Sequence, residues 1–154
     1  MNIAVIFAGG TGKRMKTASK PKQFLELRGK PIIVYTLEHF QNHNMIDGIV
    51  IVCVQDWIDY CQGLIDKFGI SKVKAIVPGG ETGMLSRFNG LKKAAELFPE
   101  DSIILMHDGV RPLIDADTIS RNIESVEKNG SAVTVAPAIE TIAVKNDSGL
   151  VGEI

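Results

Sequence analysis

Close to its start the chain reads IAVIFAGGTGKRM, residues Ile3–Met15, and this stretch decides the fold. It joins a continuous apolar run, Ile3–Ala8, to a turn with three glycines in four positions. A strand that is apolar on both faces is typical of a parallel sheet covered by helices on each side. The glycines allow positive φ and a close approach of backbone N–H groups to an anion. The stretch therefore predicts a buried strand that ends in an anion-binding loop.

Similar short apolar runs recur along the chain and are separated by longer stretches of helical periodicity. The predicted strands after the first are Gly48–Val54, Val73–Val77, Ile103–His107 and Ala132–Ala136. Strands that alternate with helices form βαβ units around a mostly parallel sheet. The sequence thus predicts an α/β fold.

Four stretches place apolar residues three and four positions apart, as amphipathic helices do. They are Pro31–His39, Trp57–Phe68, Met84–Phe98 and a segment from an Asp115 N-cap to Asn129-Gly130. The apolar stripe of the third helix is Leu85, Phe88, Leu91 and Ala95. His39 and His43 are expected to be surface residues at a helix end.

The composition is that of one compact globular domain. With 154 residues, 45% of them hydrophobic, the chain can bury a core without disulfides. A net charge of −1 argues against a general nucleic-acid binder, which normally carries a basic excess. No apolar run approaches the roughly 20 residues that span a bilayer, and the start lacks the basic region of a secretion signal. We therefore expect a cytoplasmic protein without a membrane or nucleic-acid partner.

The two cysteines, Cys53 and Cys61, lie on different predicted elements and lack CxxC spacing. Such residues are usually buried thiols of a protein from a reducing compartment. No metal framework is expected from them.

The last residues follow a different pattern. Thr141–Lys145 and Val151–Ile154 are strand-like, and the turn residues 146–149 separate them. We therefore divide the chain into an α/β domain, residues 1–138, and the start of a β-hairpin arm, residues 139–154. The second strand of the arm is so short that its edge would be unpaired, and the arm is expected to be incomplete.

The glycine loop differs from two familiar phosphate loops. The Rossmann pattern GxGxxG needs glycine where Met15 stands, and the Walker A pattern needs Ser or Thr where Arg14 stands. Lys22 follows within one loop length, after the stiff Pro21, so that Arg14 and Lys22 can reach the same phosphates. The pattern favours a triphosphate site, although an ordinary glycine-rich turn and a solvated lysine remain alternatives.

Opposite charges follow the predicted strand Ile103–His107. Asp108 and Arg111 are separated by two residues and should flank one cleft. Asp108 has the hard oxygen ligands that suit Mg²⁺, or it could accept a hydroxyl of a substrate. The alternative is a structural ion pair that braces the loop. His107 is interpreted as a strand-end histidine, not as a base.

These residues, together, carry a family resemblance. The motifs are Ala8–Met15, Pro21–Leu25 with Gly29–Ile32, Gly79-Gly80 with Ser86 and Asn89–Leu91, and His107–Pro112. In this order they resemble the cytidylyltransferases of polyol phosphates, a family that includes the ribitol 5-phosphate and 2-C-methyl-D-erythritol 4-phosphate enzymes. The resemblance implies a Rossmann-like three-layer α/β/α sandwich of the nucleotidyltransferase type, with a C-terminal β-arm.

The resemblance also implies roles for individual residues. The implied nucleotide-binding residues are Ala8, Gly9, Gly10, Thr11, Gly12, Arg14, Lys22, Gly80, Glu81 and Ser86. Arg14 and Lys22 would serve catalysis at the phosphates of CTP, and Gly80, Glu81 and Ser86 would read the cytosine. Asp108, Arg111 and Thr141 would bind the acceptor, with Asp108 also holding Mg²⁺. The arm would join two subunits in a homodimer.

The implied reaction transfers CMP from CTP to a polyol phosphate and releases pyrophosphate. Gly10 stands where the methylerythritol enzymes more often have alanine, which favours ribitol phosphate as acceptor. One alternative within the enzymes is a sugar-1-phosphate nucleotidyltransferase, which shares the glycine-rich start. Another is a catalytically silent nucleotide-binding or dimerisation module.

Overall fold

The computed structural model describes residues 1–10, 20–137, 139, 144, 146–148 and 151. The strands are β1 (Asn2–Ala8), β2 (Glu26–Leu27), β3 (Lys30–Pro31), β4 (Gly48–Cys53), β5 (Val73–Pro78) and β6 (Ile103–Asp108). The α-helices are α1 (Ile32–Gln41), α2 (Ile58–Phe68), α3 (Gly83–Leu97) and α4 (Ala116–Asn129). Two 3₁₀ turns span Lys22–Phe24 and Gln55–Trp57. Among the described residues, no helix is long and apolar enough to cross a bilayer.

In the described part of the chain, the main sheet has four parallel strands in the order β5-β4-β1-β6. β1 pairs with β4 from Ile3 opposite Gly48 to Ala8 opposite Cys53, so that the two strands end side by side. Every residue of β4 is buried, as the apolar run predicted. We call the end of the sheet where these strands finish its carboxyl edge.

Helices cover both faces of the sheet. On one face, α1, α2 and α4 bury side chains such as Leu37, Ile65 and Ile123 against Ile6 of β1. On the other, Ala94 of α3 packs in a second cluster with the alternate residues of β1 and β4. This arrangement confirms the predicted three-layer α/β/α sandwich.

The apolar stripe of α3 does not face the sheet, which corrects the sequence analysis. Leu85 and Phe88 are 46% and 59% exposed, whereas Gly90 and Ala94 are buried. A Cβ on Gly90 would lie 2.7 Å from side-chain atoms of Val5 and Val52. The helix therefore approaches the sheet along its small residues, because a larger side chain at this position has no room.

The helix caps agree with the sequence analysis. Asp115 precedes α4, and its Oδ1 accepts a hydrogen bond of 2.7 Å from the backbone N–H of Thr118. Hydrogen bonding from Thr118, from its side chain first and its backbone N–H second, holds the pKa of Asp115 below its usual range. Gly130 ends the helix with φ of 81°, a left-handed conformation that glycine adopts without strain.

The predicted strand Ala132–Ala136 is wrong: the described residues 131–137 form no strand. Ala132–Thr134 and β6 together line a cavity of about 420 Å³. Among the described residues, this segment does not pair with β6 as a further strand of the sheet. Apolar residues alone do not make a strand, because a strand also needs a partner backbone. Most of the predicted hairpin, residues 139–154, lies outside the described residues.

Cys53 and Cys61 are both buried and both free, as predicted. Cys53 ends β4, and Cys61 lies in α2 above it. A hydrogen bond with the Cys53 thiol and burial both raise the pKa of Cys61. That thiol therefore stays protonated at neutral pH.

Candidate nucleotide-binding site

Three loops meet at the carboxyl edge. The backbone N–H of Gly109, just after β6, donates to the carbonyl oxygen of Phe7 in β1 over 2.8 Å. A Cβ on Gly9 would lie 3.8 Å from Cα of Gly79, which follows β5, and 3.5 Å from Oγ of Ser86. Open α/β sheets bind ligands at this edge of their strands. The structure thus brings together the ends of β1, β5 and β6 at one place.

Ser86 ties the loop after β5 to the first turn of α3. Its Oγ accepts a hydrogen bond of 3.1 Å from the backbone N–H of Gly80 and donates one of 3.0 Å to the carbonyl oxygen of Thr82. Oγ1 of Thr82 in turn accepts from the N–H of Leu85 and caps the helix. Glu81, between these residues, is exposed. These hydrogen bonds fix the loop to the first turn of α3.

Lys22 lies in a 3₁₀ turn that is anchored on its inner side. The buried Gln23 donates from Nε2 to the carbonyl oxygen of Ala8, at the end of β1. Phe24 is buried as well, and its ring stacks on Trp57 at 5.2 Å. Lys22 itself is exposed. The exposed ammonium group thus extends from a fixed backbone that contacts the start of the glycine loop.

Gln23 supports the candidate site, and the sequence analysis did not predict this role. Its side chain is 2% exposed, and its amide satisfies the last carbonyl of β1. Glutamine is mostly a surface residue, so its type gave no sign of this role. The one available signal is its place between Lys22 and the anchoring Phe24.

Several predicted site residues lie outside the described residues. They are Thr11, Gly12, Arg14 and Thr141. Gly10, the last described residue before this gap, is exposed, and a Cβ there would have no neighbour within 4 Å among the described residues. The roles of the four residues outside the described part of the chain stay predictions.

Asp108 and Arg111 form an ion pair at the end of β6. Nε of Arg111 lies 2.7 Å from Oδ2 of Asp108, and the backbone N–H of Arg111 donates to the carbonyl oxygen of Asp108. The hydrogen bond to Asp108 raises the pKa of Arg111. The side chains of Arg111 and Asp108 are nevertheless 73% and 44% exposed. The pair therefore braces its turn and still offers both groups to a ligand.

The sequence and the fold are those of a known family. The sequence model described as 2-C-methyl-D-erythritol 4-phosphate cytidylyltransferase matches residues 2–154. The chain belongs to this family.

Individual cytidylyltransferases extend the comparison. Over 154 residues the chain is 55% identical to a ribitol-5-phosphate cytidylyltransferase of Streptococcus agalactiae, covering all of this chain and 64% of that protein. Over 148 residues it is 40% identical to a 2-C-methyl-D-erythritol 4-phosphate cytidylyltransferase of Clostridium botulinum, covering 96% of this chain and 63% of that protein. The chain thus spans about 64% of the length of the curated relatives it matches.

A solved structure of the same family has the same fold. The 4-diphosphocytidyl-2C-methyl-D-erythritol synthase of Anaerococcus prevotii superposes with a TM-score of 0.79 at 28% identity. The superposition covers 98% of this chain and 61% of that one. The nucleotidyltransferase-type sandwich expected from the resemblance is therefore confirmed.

The cytidylyltransferase resemblance implies Mg²⁺, and Asp108 is the described residue that fits it. Its carboxylate supplies hard oxygen atoms, is half-exposed and lies at the carboxyl edge. The described residues contain no group of three or more His, Cys, Asp or Glu side chains placed to hold a metal. Mg²⁺ is often held by one or two carboxylates together with substrate phosphates, and Asp108 suits such an arrangement.

His107 supports the same turn from inside. Its Nε2 donates to the carbonyl oxygen of Arg111 over 3.0 Å, and its ring packs on Phe40. Burial lowers the pKa of His107 from 6.5, so the ring is neutral at pH 7. This agrees with its interpretation as a strand-end histidine.

The lowered pKa of His107 predicts a stability that falls on mild acidification. Below about pH 6.5 the unfolded chain binds a proton that the folded chain resists, so the free energy of unfolding decreases as the pH falls. Urea unfolding at pH 7.5 and 5.5, above the range of the carboxylates, measures this change. His107→Gln should reduce the difference between the two pH values. An undiminished difference in the variant would assign the pH dependence to other groups.

Proposed function

We propose that this chain binds CTP at the carboxyl edge and acts in the transfer of CMP to ribitol 5-phosphate, with release of pyrophosphate. The observation that carries the proposal is the meeting of the β1, β5 and β6 loops at one edge. Gly9 packs on Gly79 there, and Gly109 hydrogen-bonds to the end of β1. Membership of the cytidylyltransferase family supports the same reaction class.

The choice of acceptor is supported by the relatives. Identity is 55% to the streptococcal ribitol-5-phosphate enzyme and 40% to the clostridial methylerythritol enzyme. Gly10 in place of alanine favours the same acceptor. We therefore propose ribitol 5-phosphate as the substrate and treat 2-C-methyl-D-erythritol 4-phosphate as the competitor to be tested.

The proposed reaction is a direct displacement. A phosphate oxygen of the acceptor forms a bond to the α-phosphorus of CTP, and the bond from that phosphorus to the bridging oxygen breaks. The electron pair leaves with pyrophosphate. The attacking phosphate is already ionised near neutral pH, so catalysis consists of positioning and of stabilising negative charge.

The proposed roles follow the positions of the side chains. Lys22, exposed on its anchored turn, contacts the phosphates of CTP together with Arg14. Arg111 binds the phosphate of the acceptor, and Asp108 holds Mg²⁺. Bound there, Mg²⁺ would supply charge neutralisation at the phosphate oxygens.

The loop after β5 is proposed to read the base. Cytosine offers an amino donor and two acceptors, and Glu81 and the backbone of Gly80 have complementary groups. Ser86 would contribute either directly or by holding Gly80 in place. The preference for CTP over UTP tests this part of the proposal.

The two-part organisation of the chain belongs to the same proposal. Residues 1–138 form the nucleotide-binding domain, and residues 139–154 begin an arm that carries Thr141 to the acceptor. We propose that the arm pairs two copies of the protein. Sedimentation of the chain with and without residues 139–154 tests this pairing, because loss of the dimer is expected on removal.

An assay of pyrophosphate release tests the function. The chain is mixed with CTP, Mg²⁺ and either ribitol 5-phosphate or 2-C-methyl-D-erythritol 4-phosphate, and the product mass is read. We expect CDP-ribitol and a kcat/KM at least tenfold higher with ribitol 5-phosphate. A reversed preference would overturn the acceptor. Calorimetric binding of CTP without turnover would favour the silent-module alternative, and no CTP binding would overturn the proposed function altogether.

A further inference from the structure

One face of α1 holds the loop that carries Arg111. The buried Thr36 donates from Oγ1 to the carbonyl oxygen of Gly109 over 3.0 Å. One turn along the helix, Nε2 of His39 donates to the carbonyl oxygen of Pro112, also over 3.0 Å. Gly109 and Pro112 stand on either side of Arg111 in the chain. The backbone of Arg111 is therefore fixed at both flanks by side chains of one helix.

The contacts follow the spacing of a helix face. Thr36 and His39 are three residues apart and are neighbours on the surface of α1. His43 continues the row just beyond the helix, where its Nε2 lies 3.0 Å from the carbonyl oxygen of Ala116. His43 is 5% exposed, so its expected surface position is wrong, whereas His39 is half-buried and has a defined partner. The three side chains thus contact carbonyl oxygens of Gly109, Pro112 and Ala116, along the segment between β6 and α4.

These contacts matter because the position of the Arg111 guanidinium depends on the position of its loop. The side chain of Arg111 is 73% exposed, and the ion-pair partner of its guanidinium, Asp108, lies in the same turn. A shift of the loop therefore moves both groups at once. A displacement of about 1 Å at reacting groups can cost about 10²-fold in rate.

On the basis of the proposed function, we propose that Thr36 and His39 are positioning residues for the acceptor phosphate. Neither touches a reacting atom. They hold the carbonyl oxygens of Gly109 and Pro112 and thereby set where Arg111 meets the acceptor. Neither hydrogen bond is made to the loops at Gly9 and Gly79, so CTP binding should be affected less than acceptor binding.

The test compares the two Michaelis constants. Thr36→Val keeps the shape of the side chain and removes the donor, and His39→Leu removes the second donor. We expect each variant to raise KM for ribitol 5-phosphate about tenfold, while KM for CTP stays within about twofold. Thr36→Ser and His39→Gln retain a donor and should restore the acceptor KM. A structural role alone would lower Tm without this split or this rescue.

A matched control comes from the same helix. Gln41 donates from Nε2 to Ser71 and accepts from the N–H of Lys72. It therefore also holds a loop, but one that precedes β5, at the end of the sheet opposite to the carboxyl edge. Gln41→Met should lower Tm and leave both KM values unchanged. If Gln41→Met raises the acceptor KM as much as His39→Leu does, the proposal is overturned. If Thr36→Val does not fold, the His39 pair of variants decides.

A second measurement separates this proposal from the proposed function. The Nε–H of Arg111, bonded to Asp108 at 2.7 Å, should give a distinct NMR resonance. We expect this resonance to shift and to exchange faster with water in Thr36→Val and His39→Leu, but not in Gln41→Met. If the unsubstituted chain transfers no CMP, the proposed function fails, and this resonance still tests the positioning. An unchanged resonance in both variants would overturn it.

Discussion

Replacing Lys22 by methionine is expected to slow CMP transfer by about 10²–10³-fold, the usual effect of losing one group that stabilises developing charge. In the proposed reaction negative charge builds on the α-phosphate and on the departing pyrophosphate, and Lys22, exposed on a turn that contacts the end of β1, is proposed to neutralise it. Methionine has a similar length without the charge. The fold should be retained, because Gln23 and Phe24 anchor the turn from inside.

The control for this prediction is Lys67→Met. Lys67 lies in the last turn of α2, which runs away from the carboxyl edge, and its ammonium lies over the Phe68 ring at 5.3 Å. Rates of pyrophosphate release under saturating CTP should be unchanged in this variant. A loss of less than tenfold in Lys22→Met, at unchanged circular dichroism, would remove Lys22 from the catalytic groups.

Substituting Gly90 by alanine is expected to destabilise the fold, because overpacking a core typically costs about 1–3 kcal/mol. The added Cβ would lie 2.7 Å from Cγ1 of Val5 and from Cγ2 of Val52, both in central strands. Alanine favours a helix over glycine by about 1 kcal/mol, so the packing penalty must exceed this gain for the prediction to hold. Urea unfolding followed by circular dichroism measures the net change.

Gly63→Ala is the matched control. Gly63 also lies within a helix, α2, but a Cβ there would meet no described atom within 4 Å. The same substitution should therefore stabilise the chain by about 0.5–1 kcal/mol. If Gly90→Ala also stabilises, α3 does not lie as close to the sheet as the structure has it.

Sequence periodicity was sufficient for the parts of the fold that depend on local pattern. The buried strands around Ile6 and Ile51 and the caps of α4 follow from apolar runs and from turn chemistry, and the structure contains them. The meeting of the glycine loops also follows, because parallel strands end at one edge. These features depend only on the local pattern of each segment and on the rule that neighbouring parallel strands end at the same side of the sheet.

The features that the sequence did not reveal depend on distant partners. The apolar stripe of α3 with Phe88 predicted the wrong buried face, because the depth at which α3 packs is set by Gly90 against β1 and β4. The segment Ala132–Ala136 forms no strand and pairs with no strand of the described part of the chain. Gln23 and His39 serve carbonyl groups far along the chain, and no local pattern marks such acceptors.

Burial is uneven across the sheet, so the free energy of local opening differs between the two sides of the proposed site. β4 is buried throughout, whereas Met106 of β6 is 46% exposed and the neighbouring residues of that strand are only partly covered. Local opening costs less free energy where less apolar area is buried. The side that carries Asp108 and Arg111 can therefore fluctuate while β1 and β4 stay folded, which in the proposed reaction would let an acceptor enter and a product leave while Gly9, just after β1, keeps its place.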